Sequence, residues 1–316
     1  MRLVSLLASA TEIIAELGAG DQLVGRSHEC DYPPAITALP TVSHVTINTA
    51  SSSAEIDQQI KQLAHAHPLP QNLALQALSI YAIDIPLLQE LRPDVIFTQT
   101  QCEVCAVSER DVARAVAQLT GFYPQIVALT PHRLVDVWDD VLRVGKAIGR
   151  TEQAQQLVQR YQQRLDSLRD HCTELSSKHK PRVAVLEWLD PLMGAGNWTP
   201  ELVSIAGGNP LFGEIGQHTP WLSWEKLQAT DPDVLIISPC GFTLARTLQE
   251  VTVLQQHPAW TTLSAVREER VFIIDGNAYL NRSGPRLVES TELLGYSLWG
   301  TASGITIDQE AWLHFR

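Results

Sequence analysis

Residues 151–177, TEQAQQLVQRYQQRLDSLRDHCTELSS, decide the organisation of this chain of 316 residues. Their apolar side chains recur every three or four positions and so share one face of a helix: Leu157, Tyr161, Leu165, Leu168, Cys172 and Leu175. At 1.5 Å per residue such a helix is about 40 Å long, enough to run along two domains. Because its other face is polar, two interpretations stay open, a long surface helix or a rigid strut between two lobes.

Two short motifs occur on both sides of this helix. Residues 17–25 (LGAGDQLVG) resemble residues 205–213 (IAGGNPLFG), and residues 91–97 (LRPDVIF) resemble residues 230–236 (TDPDVLI). Each glycine turn ends a helix and leads into a strand, and each Pro-Asp pair stands between a helix and a strand. This weak internal repeat favours the strut.

The repeat predicts two similar lobes. We expect an N-terminal lobe at 1–131, linking helices at 132–178 and a C-terminal lobe at 179–316. The two motifs lie further apart in the first half of the chain, so we place an insertion at about 41–80. Strand-like and helix-like segments alternate throughout, which is typical of α/β layers. The predicted fold is α/β, with two Rossmann-like lobes whose central sheets are mostly parallel, joined by a single long helix.

The predicted strands are short runs rich in Val, Ile or Leu, as expected of strands buried on both faces. They are 2–6, 23–27, 94–98, 125–129, 182–187, 234–238 and 271–275. The predicted helices besides the long one are 10–17, 55–66, 84–91, 108–119, 133–148, 199–206, 223–229 and 285–299.

Composition and motifs exclude several classes of function. The net charge of −12 argues against nucleic-acid binding, which requires a basic surface. The sequence contains no Gly-x-Ser-x-Gly, P-loop, His-Glu-x-x-His or Gly-x-Gly-x-x-Gly motif, so we expect no enzyme. Met1 and Arg2 lead directly into the first strand without a secretion-type apolar segment. We therefore expect a cytoplasmic monomer, or a periplasmic one if a leader has been removed.

Ligands of parallel α/β sheets bind beyond the carboxyl ends of the strands. The loops at these ends collect aromatic and polar side chains, which is the usual construction of a small-molecule site. We therefore expect a cleft for a large amphipathic ligand. The candidate ligand-binding residues found in this way are His28, Tyr32, Gln101, Trp188, Asn197, Trp198, Phe242 and Tyr279.

The same loops hold four of the five cysteines, namely Cys30, Cys102, Cys105 and Cys240. The Cys102-x-x-Cys105 spacing is that of zinc ligands and also of thiol redox motifs, so a cysteine-bound metal or thiol redox chemistry is the alternative function. A thiolate or His28 is also a candidate axial ligand to the metal of the bound ligand. The remaining interpretation is simple packing, which we also expect of Cys172 on the long helix.

Several stretches resemble the vitamin B12-binding proteins that serve ABC importers. In the first half they are residues 3–14 (LVSLLASATEII), 17–25, 31–34 (DYPP) and 93–96 (PDVI). In the second half they are residues 202–210 (LVSIAGGNP), Glu225 and residues 283–286 (SGPR). The resemblance covers nearly the whole chain in order. Related proteins of similar fold bind iron siderophores and haem.

The resemblance implies two lobes joined by one long helix, with the ligand between the lobes. The ligand class it implies is cobalamin or another corrinoid, with no cofactor required, and the partner is an ABC permease. By position, Tyr32 and Pro33 match the family's Asp-Tyr-Pro-Pro loop, while Tyr81 and Trp221 match aromatic residues at the lips of the two lobes. Glu225 matches the glutamate that docks on the permease.

The chain departs from the family pattern at three places. Pro86 stands where the N-lobe docking glutamate is expected, which leaves Asp84 or Glu90 as substitutes. The insertion at about 41–80 and the cysteine loop at 99–105 are absent from the typical importer protein. Residues 101–108 (QCEVCAVS) resemble a branch of the family that lacks a secretion signal and is called cobalamin-binding by resemblance.

Overall fold

The computed structural model describes residues 1–66, 81–100 and 109–316 of the chain. The chain divides into two compact units. Unit 1 comprises Met1–Pro131 and Val135–Val158, and unit 2 comprises His132–Leu134 and Gln159–Arg316.

Unit 1 is built on a parallel sheet. Its described strands are β1 (Leu3–Ser5), β2 (Leu23–Arg26), β3 (Ser43–Val45), β4 (Tyr81–Ile83), β5 (Val95–Gln99) and β6 (Gln125–Leu129). Its described helices are α1 (Ala8–Glu16), α2 (Ser53–Ala66), α3 (Ile85–Leu91), α4 (Glu109–Val116) and α5 (Leu134–Ala147). The sheet has the order β2-β1-β5-β6, and all its pairings are parallel. The carboxyl ends of these four strands therefore share one edge, where the loops following β1 and β2 lie.

The segment predicted as an insertion at about 41–80 contributes one strand, β3, to a second, smaller sheet, whose other strand, β4, directly follows the segment. Strands β3 and β4 pair antiparallel, with Ser43 opposite Ile83 and Val45 opposite Tyr81. Val42 and Tyr81 are buried in the same apolar core as Val4 and Ile96 of the main sheet. Val42, with Val45 and Ile47 packed beside it, thus joins this segment to the core of unit 1.

Unit 2 contains a mixed sheet. Its described strands are β7 (Arg182–Leu189), β8 (Leu192–Gly194), β9 (Asn209–Leu211), β10 (Val234–Ile237), β11 (Val271–Ile274) and β12 (Trp312–Phe315). The order is β12-β11-β10-β7-β8, and β9 also pairs with β7. β9, β7, β10 and β11 pair in parallel, whereas β8 and β12 are antiparallel to their neighbours.

One long helix, α6 (Thr151–Leu175), links the two units and begins and ends within two residues of the predicted bounds. Its predicted apolar face is buried at Leu157, Tyr161, Leu165, Leu168 and Cys172. Burial raises the pKa of the Cys172 thiol to about 11, so this cysteine is a packing residue as predicted. The prediction of two α/β lobes joined by a long helix is confirmed.

The remaining described helices of unit 2 are α7 (Thr199–Ile205), α8 (Trp224–Thr230), α9 (Leu244–Glu250), α10 (Thr252–Gln255), α11 (Ser264–Arg267) and α12 (Leu287–Trp299). On α12, Glu289 and Glu292 lie 2.9 and 2.8 Å from the Arg164 guanidinium of α6, which joins the linking helix to unit 2. Within the described residues, no helix is both long enough and apolar enough to span a membrane.

Candidate functional site

The loop that follows β2 is fixed by Arg26. Its guanidinium donates hydrogen bonds to the carbonyl oxygens of Ser27, Cys30 and Thr37 at 3.0, 3.3 and 3.2 Å. The N–H of Ser27 donates to the carbonyl of Ser5 at the end of β1, at 2.8 Å. These bonds place residues 27–33 at the carboxyl edge of unit 1. Within this loop Tyr32, joined to Pro33 by a cis peptide bond, is 43% exposed.

His28 lies in a group of polar side chains at this edge. Its Nδ1 is 3.0 Å from the hydroxyl oxygen of Ser43, and its ring centroid is 5.2 Å from that of Tyr81. The Tyr81 hydroxyl donates to Glu29 Oε1 at 3.4 Å. Burial lowers the pKa of His28, and the nearby His44 adds to the effect, so the ring is mainly neutral at pH 7. The structure thus brings together two predicted ligand-binding residues, His28 and Tyr81.

The cysteines considered as metal ligands are only partly described. Cys30 is 1% exposed, and its sulfur accepts a hydrogen bond from the Thr11 hydroxyl at 2.9 Å. Cys240 is half-buried after β10, and its N–H donates to the carbonyl of Glu187. The structure places no three His, Cys, Asp or Glu side chains of the described segments together as metal ligands. Cys102 and Cys105 lie outside the described residues, as does Gln101, so a metal site there stays a prediction.

In unit 2, the loops after β10 and β11 are tied together by Asp275. Its carboxylate accepts hydrogen bonds from the backbone N–H groups of Leu244, Asn277 and Ala278 at 2.9, 3.0 and 2.8 Å. At Gly276 a side chain has no room, because a Cβ there is 2.0 Å from the carbonyl oxygen of Pro239. The two loops therefore form one packed surface at the carboxyl ends of their strands.

Two predicted aromatic residues, Phe242 and Tyr279, lie on these loops beside arginines, and a third, Trp188, lies in β7 one residue before its end. The rings of Trp188 and Phe242 are 5.3 Å apart, and the Arg246 guanidinium lies 4.8 Å from the Phe242 ring centroid. The Arg286 guanidinium lies 5.5 Å from the ring centroid of Tyr279, whose pKa is raised by burial. Phe242 is only 5% exposed, and Arg246 also lies 3.7 Å from the Glu250 carboxylate, so the arginine at this ring is paired with an acidic side chain.

Trp198 and Asn197 form hydrogen bonds with the backbone of neighbouring loops. Trp198 is only 5% exposed, and its indole Nε1 donates to the carbonyl of Leu280 at 2.7 Å. The Asn197 N–H donates to the carbonyl of Gln217 at 2.7 Å, with the backbone of Asn197 at a positive φ of 52°. In contrast, Trp221 is 57% exposed and forms an isolated bridge with Met193 of β8. Of these aromatic residues, Trp221 presents the accessible ring.

The two residues predicted to dock on a partner differ in their surroundings. Glu225 is exposed in the first turn of α8, where hydrogen bonds from its own backbone N–H and from Ser223 lower its pKa. It borders a groove of about 560 Å³ in which Trp224 and His257 stack with centroids 4.0 Å apart. Asp84 is also exposed, but its carboxylate caps α3 by accepting from the N–H of Leu87 at 2.9 Å.

Sequence reasoning did not find Ser43 or the loop-fixing role of Asp275. Ser43 lies in a strand of three residues within the segment assigned to an insertion, so no pattern marked it. Asp275 directly follows the apolar strand β11, and an acidic residue at the end of a strand is the feature of the sequence that could have indicated its role in fixing the loop.

We expect Asp275→Ala to lower the free energy of unfolding by about 2–3 kcal/mol, because three backbone N–H groups lose their acceptor. Urea denaturation followed by circular dichroism measures this loss. Asp170→Ala, at an exposed position of α6, is the matched control and should change stability by less than about 0.5 kcal/mol. Equal effects of the two substitutions would contradict the role assigned to Asp275.

The chain is similar to known binding proteins over most of its length. The vitamin B12-binding protein of Vibrio cholerae serotype O1 is 25% identical over 297 residues, covering 92% of this chain and 86% of the relative. The uncharacterized ABC transporter substrate-binding lipoprotein YvrC of Bacillus subtilis is 22% identical over 302 residues, covering 94% and 80%. Among solved structures, the apo form of the periplasmic heme-binding protein RhuT from Roseiflexus sp. RS-1 has a TM-score of 0.67 at 21% identity, covering 95% and 98%.

The model of the periplasmic binding protein family matches residues 3–278. This match spans most of both units and agrees with their α/β construction and with the linking helix. The chain therefore belongs to the periplasmic binding protein family and is a non-catalytic binding protein.

Proposed function

We propose that the chain binds a bulky metal-chelate ligand, in first place cobalamin or another corrinoid, as the substrate-binding protein of an ABC importer. The family match over residues 3–278 carries the proposal. The names of the relatives supply the ligand class, since one is a vitamin B12-binding protein and a structural neighbour is a heme-binding protein. The loops at the carboxyl ends of the strands of each unit are the proposed ligand-binding surfaces.

The exposed side chains of these loops support a flat, bulky ligand. Tyr32 in unit 1 and Trp221 in unit 2 offer aromatic faces, which bury a large apolar area with little loss of rotamer freedom. Arg286, beside Tyr279, suits the anionic groups that such macrocycles carry, a phosphodiester in cobalamin and propionates in haem.

The same proposal includes a permease partner and a location. A binding protein of an importer works outside the membrane that the permease spans, and RhuT is named periplasmic while YvrC is named a lipoprotein. Of the two locations considered from the sequence, we therefore propose the periplasmic one. Glu225, exposed at the start of α8, is the proposed docking residue, and Asp84 is the weaker candidate because its carboxylate caps α3.

Calorimetric titration with cyanocobalamin and haemin tests the proposal. We expect saturable binding of at least one ligand, and Trp221→Ala should weaken it by at least about tenfold because an exposed aromatic face is lost. Tyr123→Ala is the control, because Tyr123 is 89% exposed but lies two residues before β6 begins, at the amino edge of its sheet. If the wild type, Trp221→Ala and Tyr123→Ala bind the ligand with equal affinity, Trp221 is not part of the site. If the folded wild type binds neither ligand, the proposal is refuted.

A further inference from the structure

The turn that follows β11 contains a strained residue. Leu280 is 1% exposed, and its φ of 29° is positive, which is rare for a bulky side chain. A backbone conformation of this kind persists only where the surrounding structure imposes it, and such residues are frequent at ligand-binding sites. Leu280 therefore depends on its neighbours for its conformation.

Two buried side chains of unit 2 impose this conformation. The indole Nε1 of Trp198, directly before α7, donates to the carbonyl oxygen of Leu280 at 2.7 Å. The backbone N–H of Leu280 donates to the hydroxyl oxygen of Ser290 on α12 at 3.0 Å. Trp198 and Ser290 are both buried. Each backbone polar group of Leu280 is thus paired with a buried side chain, and the two bonds hold the strained turn in place.

The same turn carries two candidate ligand-binding side chains. Tyr279 directly precedes Leu280, and the Arg286 guanidinium lies 5.5 Å from the Tyr279 ring centroid. The Ser290 hydroxyl donates to the carbonyl oxygen of Arg286 at 2.8 Å while it accepts from Leu280, so one buried side chain joins both parts of the turn. Tyr279 and Arg286 are partly exposed, so they can reach a ligand that the buried Ser290 cannot.

We propose that Trp198 and Ser290 are positioning residues. By holding Leu280 in its strained turn, they fix Tyr279 and Arg286 in the orientation that binds the ligand. This inference rests on the proposed function, in which Arg286 binds an anionic group of the macrocycle. It gives Trp198, predicted from the sequence as a ligand-binding residue, a role without ligand contact, because its ring is buried. When either bond is lost, the turn relaxes and the two side chains leave that orientation.

The expected effect is a loss of affinity in a protein that stays folded. If a turn with one remaining bond keeps the binding conformation for only about a tenth of the time, the apparent affinity falls about tenfold. Calorimetric titration of Trp198→Phe and Ser290→Ala with cyanocobalamin and with haemin measures the loss for the ligand that the wild type binds. Each substitution removes one hydrogen bond to Leu280 and keeps most of the side-chain volume.

Two control variants lose hydrogen bonds of the same kind elsewhere in unit 2. The indole of Trp299, at the end of α12, donates to the carbonyl oxygen of Ala206 at 2.8 Å. The hydroxyl of Ser297, also buried on α12, accepts from the indole of Trp312 at 2.8 Å. Trp299→Phe and Ser297→Ala should lose stability as their counterparts do, but they should retain the wild-type affinity, because neither bond involves the turn at 279–286.

A double-mutant cycle tests whether Trp198 acts through Arg286. Arg286→Ala alone should weaken binding, because a charge-assisted contact with an anionic group of the ligand is lost. If Trp198 positions Arg286, Trp198→Phe should cost less affinity in the Arg286→Ala background than in the wild type, because the side chain that it positions is already absent. Independent effects would multiply instead.

The outcomes separate this inference from the proposed function. The inference is overturned if either Trp198→Phe or Ser290→Ala binds as tightly as the wild type, if the control variants weaken binding equally, or if the losses in the cycle multiply. In each of these cases the proposed function stands, because the wild type binds a ligand. Circular dichroism and denaturation midpoints establish that the variants are folded during the titration. If the folded wild type binds neither cyanocobalamin nor haemin, the proposed function fails and this inference fails with it.

Discussion

Replacing Trp198 with alanine is expected to lower the free energy of unfolding by about 3–5 kcal/mol, the cost of removing a large aromatic side chain from a core. Trp198 is 5% exposed at the start of α7, and its indole N–H satisfies the carbonyl of Leu280. Urea denaturation followed by circular dichroism measures the loss.

The matched variant Trp198→Phe separates packing from hydrogen bonding. Phenylalanine retains much of the ring but not the indole N–H, so we expect a smaller loss of about 1–2 kcal/mol from the unpaired Leu280 carbonyl and the reduced volume. A loss below about 1 kcal/mol in Trp198→Ala would show that this tryptophan is not a core residue.

The second large effect is a pH dependence of stability caused by Asp140 on α5. Its side chain is 2% exposed, and burial raises its pKa to about 7, against the opposing influence of Arg143 and of a backbone hydrogen bond with Thr130. Arg143 Nη1 lies 3.1 Å from Oδ1, and Oδ2 has no hydrogen-bond partner among the described residues. The charged form is therefore poorly compensated in the folded state.

The sign of the effect follows from the two pKa values. Asp140 in the unfolded chain loses its proton near pH 3.8, whereas the folded protein keeps it to about pH 7. The free energy of unfolding should therefore fall as pH rises through this window, by up to about 4 kcal/mol. Asp140→Asn is neutral at every pH, so it should remove this fall and be more stable than the wild type at pH 8.

Urea denaturation between pH 4 and pH 8 tests this prediction. Asp139→Asn is the control, because Asp139 is the exposed neighbour on the same helix and its substitution should leave the pH dependence in place. A wild-type stability that rises with pH over this window, or a fall that persists in Asp140→Asn, would contradict the assignment to Asp140.

The sequence predicted those elements whose apolar pattern is continuous. β10 is a run of Val, Leu and Ile buried at every position, and β7 contains the buried apolar stretch 183–186. The apolar face of α6 recurs from Leu157 to Leu175, about five turns, so both kinds of signal are strong. The strands that were missed are short. β3, β4, β8 and β9 have three residues each and β12 has four, and in each of them polar, glycine, proline or aromatic residues interrupt any run of Val, Ile or Leu.

The candidate site was predictable only as a set of loops. The strand-end rule placed His28 at the edge of unit 1, and the family resemblance added Tyr81, but their partner Ser43 belongs to a strand that left no pattern. Trp198 stands in a loop, directly before α7, yet its ring is buried and its N–H donates to the carbonyl of Leu280. The direction of a loop side chain depends on such tertiary partners, which the sequence does not reveal.

Equilibrium dialysis of the wild-type protein against cyanocobalamin, with haemin in parallel, tests the central claim most directly. We predict that the protein binds one molecule of cyanocobalamin or of haemin per chain and that the binding saturates. The expected dissociation constant is below about 100 µM, which corresponds to a binding free energy of about −5.5 kcal/mol. Retention of neither macrocycle at that concentration, by protein that circular dichroism shows to be folded, would contradict the assignment of this chain as a binding protein for metal-tetrapyrrole ligands.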